Sequence, residues 1–298
     1  LFGSAEWRPV EDIVLGLDFL TELHEGYGSE TSPRFSVNWL ASPSRSFRAS
    51  ASRSYHVFNL LGRYVDYPVI ASDGTFLRQL VLSESGEDFS PERVSAVELG
   101  YTEDWLALGL LLDVRLFREE LADAGVQVPR TDGVAYGRDR AGGWVTEGLE
   151  IQLDFRPTRD TRLVGAYTLA RIDGETAQLL SPDGAILEYE SLDDTIPRHT
   201  LSLLLSQRFG AKWQGSLALF HMERTRWRGE GSEVDPYTRL DLKLARDFRV
   251  GDAQVQVSGL VQNLLDEAYD EFRVPVTYDR AGNVFDRRAY LQVSLAFD

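Results

Sequence analysis

The closing stretch of the sequence, Arg287 to Phe297, reads Arg-Arg-Ala-Tyr-Leu-Gln-Val-Ser-Leu-Ala-Phe. Leu291, Val293, Leu295 and Phe297 alternate with Gln292, Ser294 and Ala296, so an extended chain places the four large apolar groups on one face. A single segment of this kind also suits a half-buried strand of a soluble sandwich. The alternation, however, recurs along the chain. Leu240, Leu242, Leu244 and Phe248 share one parity against Arg239, Asp241, Lys243 and Asp247. Leu201, Leu203, Leu205 and Phe209 alternate with Ser202 and Ser206; Leu149, Ile151, Leu153 and Phe155 alternate with Glu150, Gln152 and Asp154. Val97, Leu99 and Tyr101 flank Glu98 and Gly100, and Phe35, Val37 and Trp39 flank Ser36 and Asn38. An apolar band closed by an aromatic at constant depth, with a polar opposite face, is the pattern of a strand between lipid and a wet lumen.

Composition alone would read as soluble, with 43% hydrophobic and 26% charged residues. A membrane barrel passes that test as well, because its lipid-facing and lumen-facing residues alternate and never build a long apolar run. The balance of 47 acidic against 31 basic residues, net −16, argues against a nucleic-acid surface. The absence of cysteine removes disulfides, thiolate nucleophiles and cysteine-ligated metal. His24, His56, His199 and His221 have no metal-ligand spacing. With no phosphate loop and no nucleophile elbow, neither an enzyme nor a cofactor or metal site is expected. The chain starts at Leu1 without a methionine or signal core, and is read as part of something longer.

In order, the spacing predicts strands at Phe2 to Arg8, Ile13 to Leu23, Arg34 to Ala41, Ser46 to Tyr55, Val94 to Thr102 and Trp105 to Phe117. Further strands follow at Trp144 to Phe155, Thr161 to Ile172, Arg198 to Phe209, Lys212 to Trp227, Tyr237 to Phe248, Ala253 to Leu264 and Arg287 to Phe297. That makes about thirteen, each near the length a tilted membrane strand needs. Short turns are expected near Pro9, Pro43, Asp104, Pro157, Gly210 and Gly251, with longer loops between them. The loops include the segment up to Glu92, a stretch to Gly143 after one helical turn beyond Phe117, a stretch to Pro197, and Asp266 to Asp286. The aromatics Trp7, Trp39, Tyr101, Phe155, Phe209, Phe248 and Phe297 all fall at the short-turn end and are read as the interface girdle. Thirteen strands cannot close antiparallel, since the first and last run the same way; the fold class expected is an all-β, antiparallel transmembrane barrel segment, open as it stands.

Gln262-Asn263-Leu264-Leu265-Asp266-Glu267-Ala268-Tyr269, followed by a loop and a terminal strand ending in phenylalanine, resembles the C-terminal signature of TonB-dependent outer-membrane receptors. Pro236-Tyr237-Thr238-Arg239-Leu240-Asp241-Leu242, Pro197-Arg198-His199-Thr200, Gly148-Leu149-Glu150 and Ser32-Pro33-Arg34-Phe35-Ser36 are similar to further barrel motifs of that family, in the family's order. Asp298 after Phe297 departs from the usual aromatic terminus. The resemblance implies that residues 1–298 form a single domain, the C-terminal part of a barrel of twenty-two strands, with the plug domain and first strands preceding it. It also implies residence in the outer membrane of a Gram-negative bacterium, in contact with its lipid and with the barrel-assembly machinery. The implied function is import of a scarce bulky solute, a ferric siderophore, energised by the TonB complex through the N-terminal region. A passive porin and an extracellular adhesin are the alternatives. Alone, these residues are expected neither to form a stable pore nor to bind a siderophore tightly.

Two groups of candidate residues follow. Glu150, Asp154, Arg239, Asp241 and Lys243 are expected to face the lumen, keeping it hydrated and pairing across strands, with contact to the plug as the alternative. Tyr64, Tyr67, Tyr136, Arg226, Trp227, Tyr269 and Phe272 fall in the expected loops or, for Arg226 and Trp227, at the strand end entering one, where aromatic planes beside donors suit capture of a chelate or else pack on one another.

Overall fold

Alternation with no apolar run long enough for a spanning helix leaves the backbone one way to satisfy its polar groups in lipid, which is strand-to-strand pairing. The computed structural model describes residues 1–24, 28–56, 66–81, 91–183, 185–227, 233–271 and 284–297, and every regular element in them is a strand. These are β1 (Phe2–Val10), β2 (Ile13–His24), β3 (Gly28–Ser42), β4 (Arg45–His56), β5 (Asp66–Ile70), β6 (Phe76–Val81) and β7 (Glu92–Trp105). Next come β8 (Leu110–Pro129), β9 (Val134–Phe155), β10 (Thr161–Leu180), β11 (Ile186–Ser191), β12 (His199–Phe209), β13 (Trp213–Met222), β14 (Thr225–Arg226) and β15 (Glu233–Val234). The chain ends with β16 (Tyr237–Val250), β17 (Ala253–Gln262), β18 (Tyr269–Asp270), β19 (Val284–Phe285) and β20 (Arg288–Phe297).

Thirteen of them form one antiparallel wall in the order β1-β2-β3-β4-β7-β8-β9-β10-β12-β13-β16-β17-β20. Neighbours in the wall are neighbours in sequence apart from small hairpins. Among the described residues β1 and β20 do not pair, so the sheet is open. Directly opposed residues share a face, and the register therefore traces each face across the sheet. One row runs Leu17, Phe35, Ala51, Val97. Another runs Leu205, Leu217, Leu242. This face is exposed and apolar, with Leu291 78% and Val97 55% accessible. In a soluble protein such a surface would be a severe liability; against lipid it is the solvated face. The opposite face carries the charged partners, although Leu111 and Leu204 also stand on it.

The aromatics make a row at the short-turn end of the apolar face. Trp39, Phe47 and Tyr101 are directly opposed on three strands, with ring centroids 5.2 and 5.1 Å apart. Phe209 opposes Trp213, and Arg246 lays its guanidinium over Trp213 at 4.9 Å and Phe248 at 4.7 Å. Phe155 opposes Leu110 and Leu163, Trp7 opposes Leu15, and Phe297 pairs with Ala253.

The far end differs from the sequence reading. The β8–β9 connection is a tight turn with Gly133 at φ 85°, its amide on Arg130 O at 3.0 Å, and only residues 25–27 separate β2 from β3. The expected loop to Gly143 and the helical turn after Phe117 are strand: β8, β9 and β10 run 20, 22 and 20 residues. Gly142 and Gly143 are not loop formers here. A Cβ on Gly142 would overlap the β10 backbone, so glycine is what lets these strands approach. The expected loop before Glu92 contains the β5–β6 hairpin, whose second strand runs parallel to the start of β9. The expected loop to Pro197 contains β11, paired with β10. Here lies a small buried cluster, Val128, Ala177 and Leu180, with Ile186 packed against it.

Two short turns are also displaced. Pro9 lies inside β1, at a register irregularity between Trp7 and Val10 where no ladder hydrogen bond is lost, and the chain reverses at Glu11 and Asp12. The β7–β8 turn is at Leu106 to Gly109 rather than Glu103 and Asp104. Gly109 supplies φ 64° there, while Glu103 pairs with Arg45 across the sheet.

Candidate functional site

On the polar face, cation and carboxylate residues interlock across strands. Arg48 of β4 reaches over β7 to Asp113 of β8 with two hydrogen bonds of 2.8 Å, and Thr102 donates to the same carboxylate at 2.6 Å. The crossing is possible because Gly100 lies beneath the guanidinium, where a Cβ would overlap the Arg48 side chain. Arg115 pairs with Glu98, with Glu150 at 3.1 Å and with Glu119 at 3.4 Å, while its guanidinium lies 4.8 Å from the Phe117 ring centre. Asp154 accepts from Arg156 at 2.8 Å and Arg162 at 2.9 Å. Arg239 holds Asp241 at 2.8 Å. Lys243 stands on the same face as these two, opposite Leu260 and Ser216.

At the far end, the chain after β17 turns back over the polar face. Asn263, at φ 53° and 1% exposed, donates its backbone N–H to Asp241 Oδ1 at 2.9 Å. Its side-chain amide donates to Glu267 O at 2.8 Å and Phe285 O at 3.2 Å. Asparagine tolerates the left-handed backbone, so one residue both reverses the chain and pins it to the wall. The result places Tyr269 between Tyr237 (centroids 4.1 Å, stacked) and Phe285 (5.3 Å), with Arg239 donating to its hydroxyl at 3.3 Å. Glu271 closes the group: its carbonyl accepts from Trp227 Nε1 at 3.3 Å and its carboxylate from Tyr237 Oη at 3.4 Å.

The loop candidates thus separate. Trp227 is linked to Tyr269 by way of Glu271 and Tyr237, and Trp227 is 47% exposed while Tyr269 is buried. Arg226 is engaged elsewhere, donating to Glu190 and to Ser191 O at 2.6 Å each, which clasps β14 to the β10–β12 connection. Tyr67 lies in β5 and Tyr136 in β9, strands rather than loops, and their backbones are what the structure describes; Tyr64 and Phe272 lie outside the described residues. Tyr237, Glu271 and Phe285 were not singled out from sequence. Tyr237 shares the Arg239 parity and was legible in that way. Phe285 was not, because it arrives from a distant segment.

A long, all-antiparallel wall with an apolar lipid-facing side, an aromatic girdle and a salt-bridged opposite side is that of a transmembrane β-barrel. Residues 15–264 match the family model described as TonB dependent receptor-like, beta-barrel, and the chain belongs to that family. Similar solved structures include the ferripyoverdine receptor of the Pseudomonas aeruginosa outer membrane bound to ferripyoverdine (15% identity, TM-score 0.68, covering 98% of this chain and 37% of that one). They also include the ferric-catecholate import receptor Fiu of E. coli K12 (16%, 0.69, 98% and 43%) and the siderophore receptor PirA of Acinetobacter baumannii (15%, 0.67, 99% and 45%). This chain spans less than half the length of each. No curated protein matches the sequence.

Proposed function

We propose that the chain is the C-terminal part of the barrel of an outer-membrane receptor that imports a ferric siderophore with energy from TonB. The match to the TonB-dependent receptor barrel family over residues 15–264 carries this reading. The far-end cluster supports it: exposed Trp227 beside the Tyr237, Tyr269 and Phe285 stack, with Arg239 behind, offers aromatic planes and a cation to a bulky anionic chelate. The salt-bridged face lines the water-filled side, and its pairs hold the wall while a plug domain fills the lumen. Neighbouring lipid, the assembly machinery and TonB are the partners.

The test is iron-limited growth and labelled-siderophore uptake in a strain carrying the intact receptor as its only importer. Uptake should vanish without TonB and fall about tenfold in Trp227→Ala, one aromatic contact being worth about 1–2 kcal/mol. Uptake that persists without TonB would replace this reading with a passive channel.

A further inference from the structure

The two sides of the sheet spend the charge on their polar face differently. On β4–β10, Arg48 is held by Asp113, Arg115 by Glu98 and Glu150, and Arg162 by Asp154, so these cations and carboxylates neutralise one another. On β16 the carboxylate is used up before the cations are. Asp241 accepts three hydrogen bonds from Arg239 and one from the Asn263 backbone N–H. Lys243, two residues further along the same face, makes no hydrogen bond or ion pair among the described residues. Arg288 of β20 stands on this face too, opposite Gln262. Its guanidinium lies 5.6 Å from the Phe285 ring centre and forms no ion pair among the described residues.

Lys243 is half-buried at the middle of β16. It lies four residues from Arg239, about 13 Å along the strand toward the short-turn end. Ser216 is on one side of it, Leu260 on the other, and Tyr290, 49% exposed, is next in the same row. A cation and an aromatic plane thus recur at mid-depth, as they do in the far-end cluster of Arg239, Tyr237 and Tyr269.

This row suits a bulky anion. A partly desolvated ammonium without a counter-ion attracts an anion more strongly than a surface whose charges are already paired. Lys243 and Tyr290 are two strands apart, about 9.5 Å, with Leu260 between them. An inorganic ion on Lys243 leaves Tyr290 and Leu260 untouched, whereas a chelate carrying aromatic rings covers all three. The neutralised pairs of β4–β10 offer it no comparable charge.

We propose that Lys243, with Arg288 and Tyr290, forms a second station for the anionic chelate at mid-depth in the lumen, reached after the far-end cluster, so that the solute descends along β16–β20 and not along β4–β10. The proposal rests on the import reading and adds to it a path and a charge requirement.

The test uses cells whose intact receptor is the sole importer, given a radiolabelled ferric tris-catecholate, which is triply anionic, or a neutral ferric tris-hydroxamate. Capture is measured without TonB and uptake with it. Lys243→Gln severs no ion pair, and unchanged heat-modifiable mobility confirms its assembly. It should slow tris-catecholate uptake about tenfold, the loss of one charge-assisted contact, while capture stays within about twofold. Lys243→Arg should restore the rate, Lys243→Glu should lower it further, and uptake of any tris-hydroxamate the receptor accepts should be the same in all four proteins. Rates indifferent to the charge at position 243, or an equal fall for both chelates, overturn the station alone, as does a receptor that imports only the neutral chelate. A loss of capture that accounts for the loss of uptake also overturns it, because Lys243 would then belong to the far-end cluster. A wild type that imports neither chelate overturns the import reading, and the station with it.

Discussion

The membrane-facing wall and the far-end extension share the continuous strands β8–β10, to which the extension adds β11, yet they are held together in opposite ways. In the wall the large apolar side chains stay exposed, and cohesion comes from backbone pairing and cross-strand ion pairs; a buried core has no place there. Beyond Arg118, Glu147 and Arg171, directly opposed on β8, β9 and β10, the exposed leucine band stops and the same strands bury apolar groups instead. They do so with Val128, Ala177 and Leu180, at 0%, 6% and 2% exposure, and with Ile186 of the β11 hairpin. Lipid replaces a core in one region, and a core replaces lipid in the other.

The sharpest way to break that contrast is a charge placed at mid-depth. Leu242→Arg on the exposed face should cost about 2–4 kcal/mol, whereas Lys243→Gln on the other face should cost less than about 1 kcal/mol, the range of surface charge changes. Membrane-assembled yield and heat-modifiable gel mobility measure both. Equal effects would mean that the faces are wrongly assigned.

A core substitution should have the reverse profile. Leu180→Ala should loosen the extension by about 2–3 kcal/mol, toward the low end for a buried leucine because the cluster is small. Amide exchange should quicken around Val128 and Ala177 while membrane assembly is unchanged. Loss of assembly in this variant would show that the two regions fold as one unit.

The smallest effect is a pH response confined to the hairpin tips. The Thr75 amide donates to Asp73 at 2.9 Å, and the Ser181 hydroxyl donates to Asp183, so both carboxyls are held below their ordinary range. Since the folded-state pKa is lowered, the stabilisation is complete above the unfolded value near 3.8 and fades as pH falls through the folded one. Amide exchange at Thr75 and Ala185 should therefore rise as pH falls below that unfolded value, beyond its intrinsic acid dependence. A uniform loosening of the wall over the same range would contradict the separation.

The same contrast explains what could be read from the sequence. In the wall every strand keeps one parity toward lipid across its depth, so the alternation of Leu149 to Phe155 or Leu201 to Phe209 was visible without coordinates. In the extension Asp123 at φ 60° bulges β8 and the register to β9 shifts twice, so parity changes within a strand and the period-two signal is lost. Gly142 and Gly143 then looked like loop residues because composition cannot report a close backbone approach. The candidate site was half legible for a related reason. Trp227 and Tyr269 stood out as aromatics in the segments between wall strands, but the Asn263 reversal that stacks Tyr269 on Tyr237 is a matter of one left-handed residue and its hydrogen bonds.

Alternation has a further blind spot, and Gly100 covers it. Slipping β7 by two residues against β4 keeps every leucine outward and every charge inward, so hydrophobicity cannot tell the correct alignment from its neighbours two steps away. The Arg48 crossing can. Only at the native alignment does a residue without a side chain lie under the guanidinium; a slip in one direction would put Thr102 in its path, and a slip in the other would put Glu98 there and carry Asp113 two residues further from Arg48. The bridge also joins residues 65 apart in sequence and needs three strands side by side, so it cannot form while β4 and β7 are still a lone pair. It acts as a proofreading contact, closing only after β8 has been added and only if the two strands before it were laid down correctly.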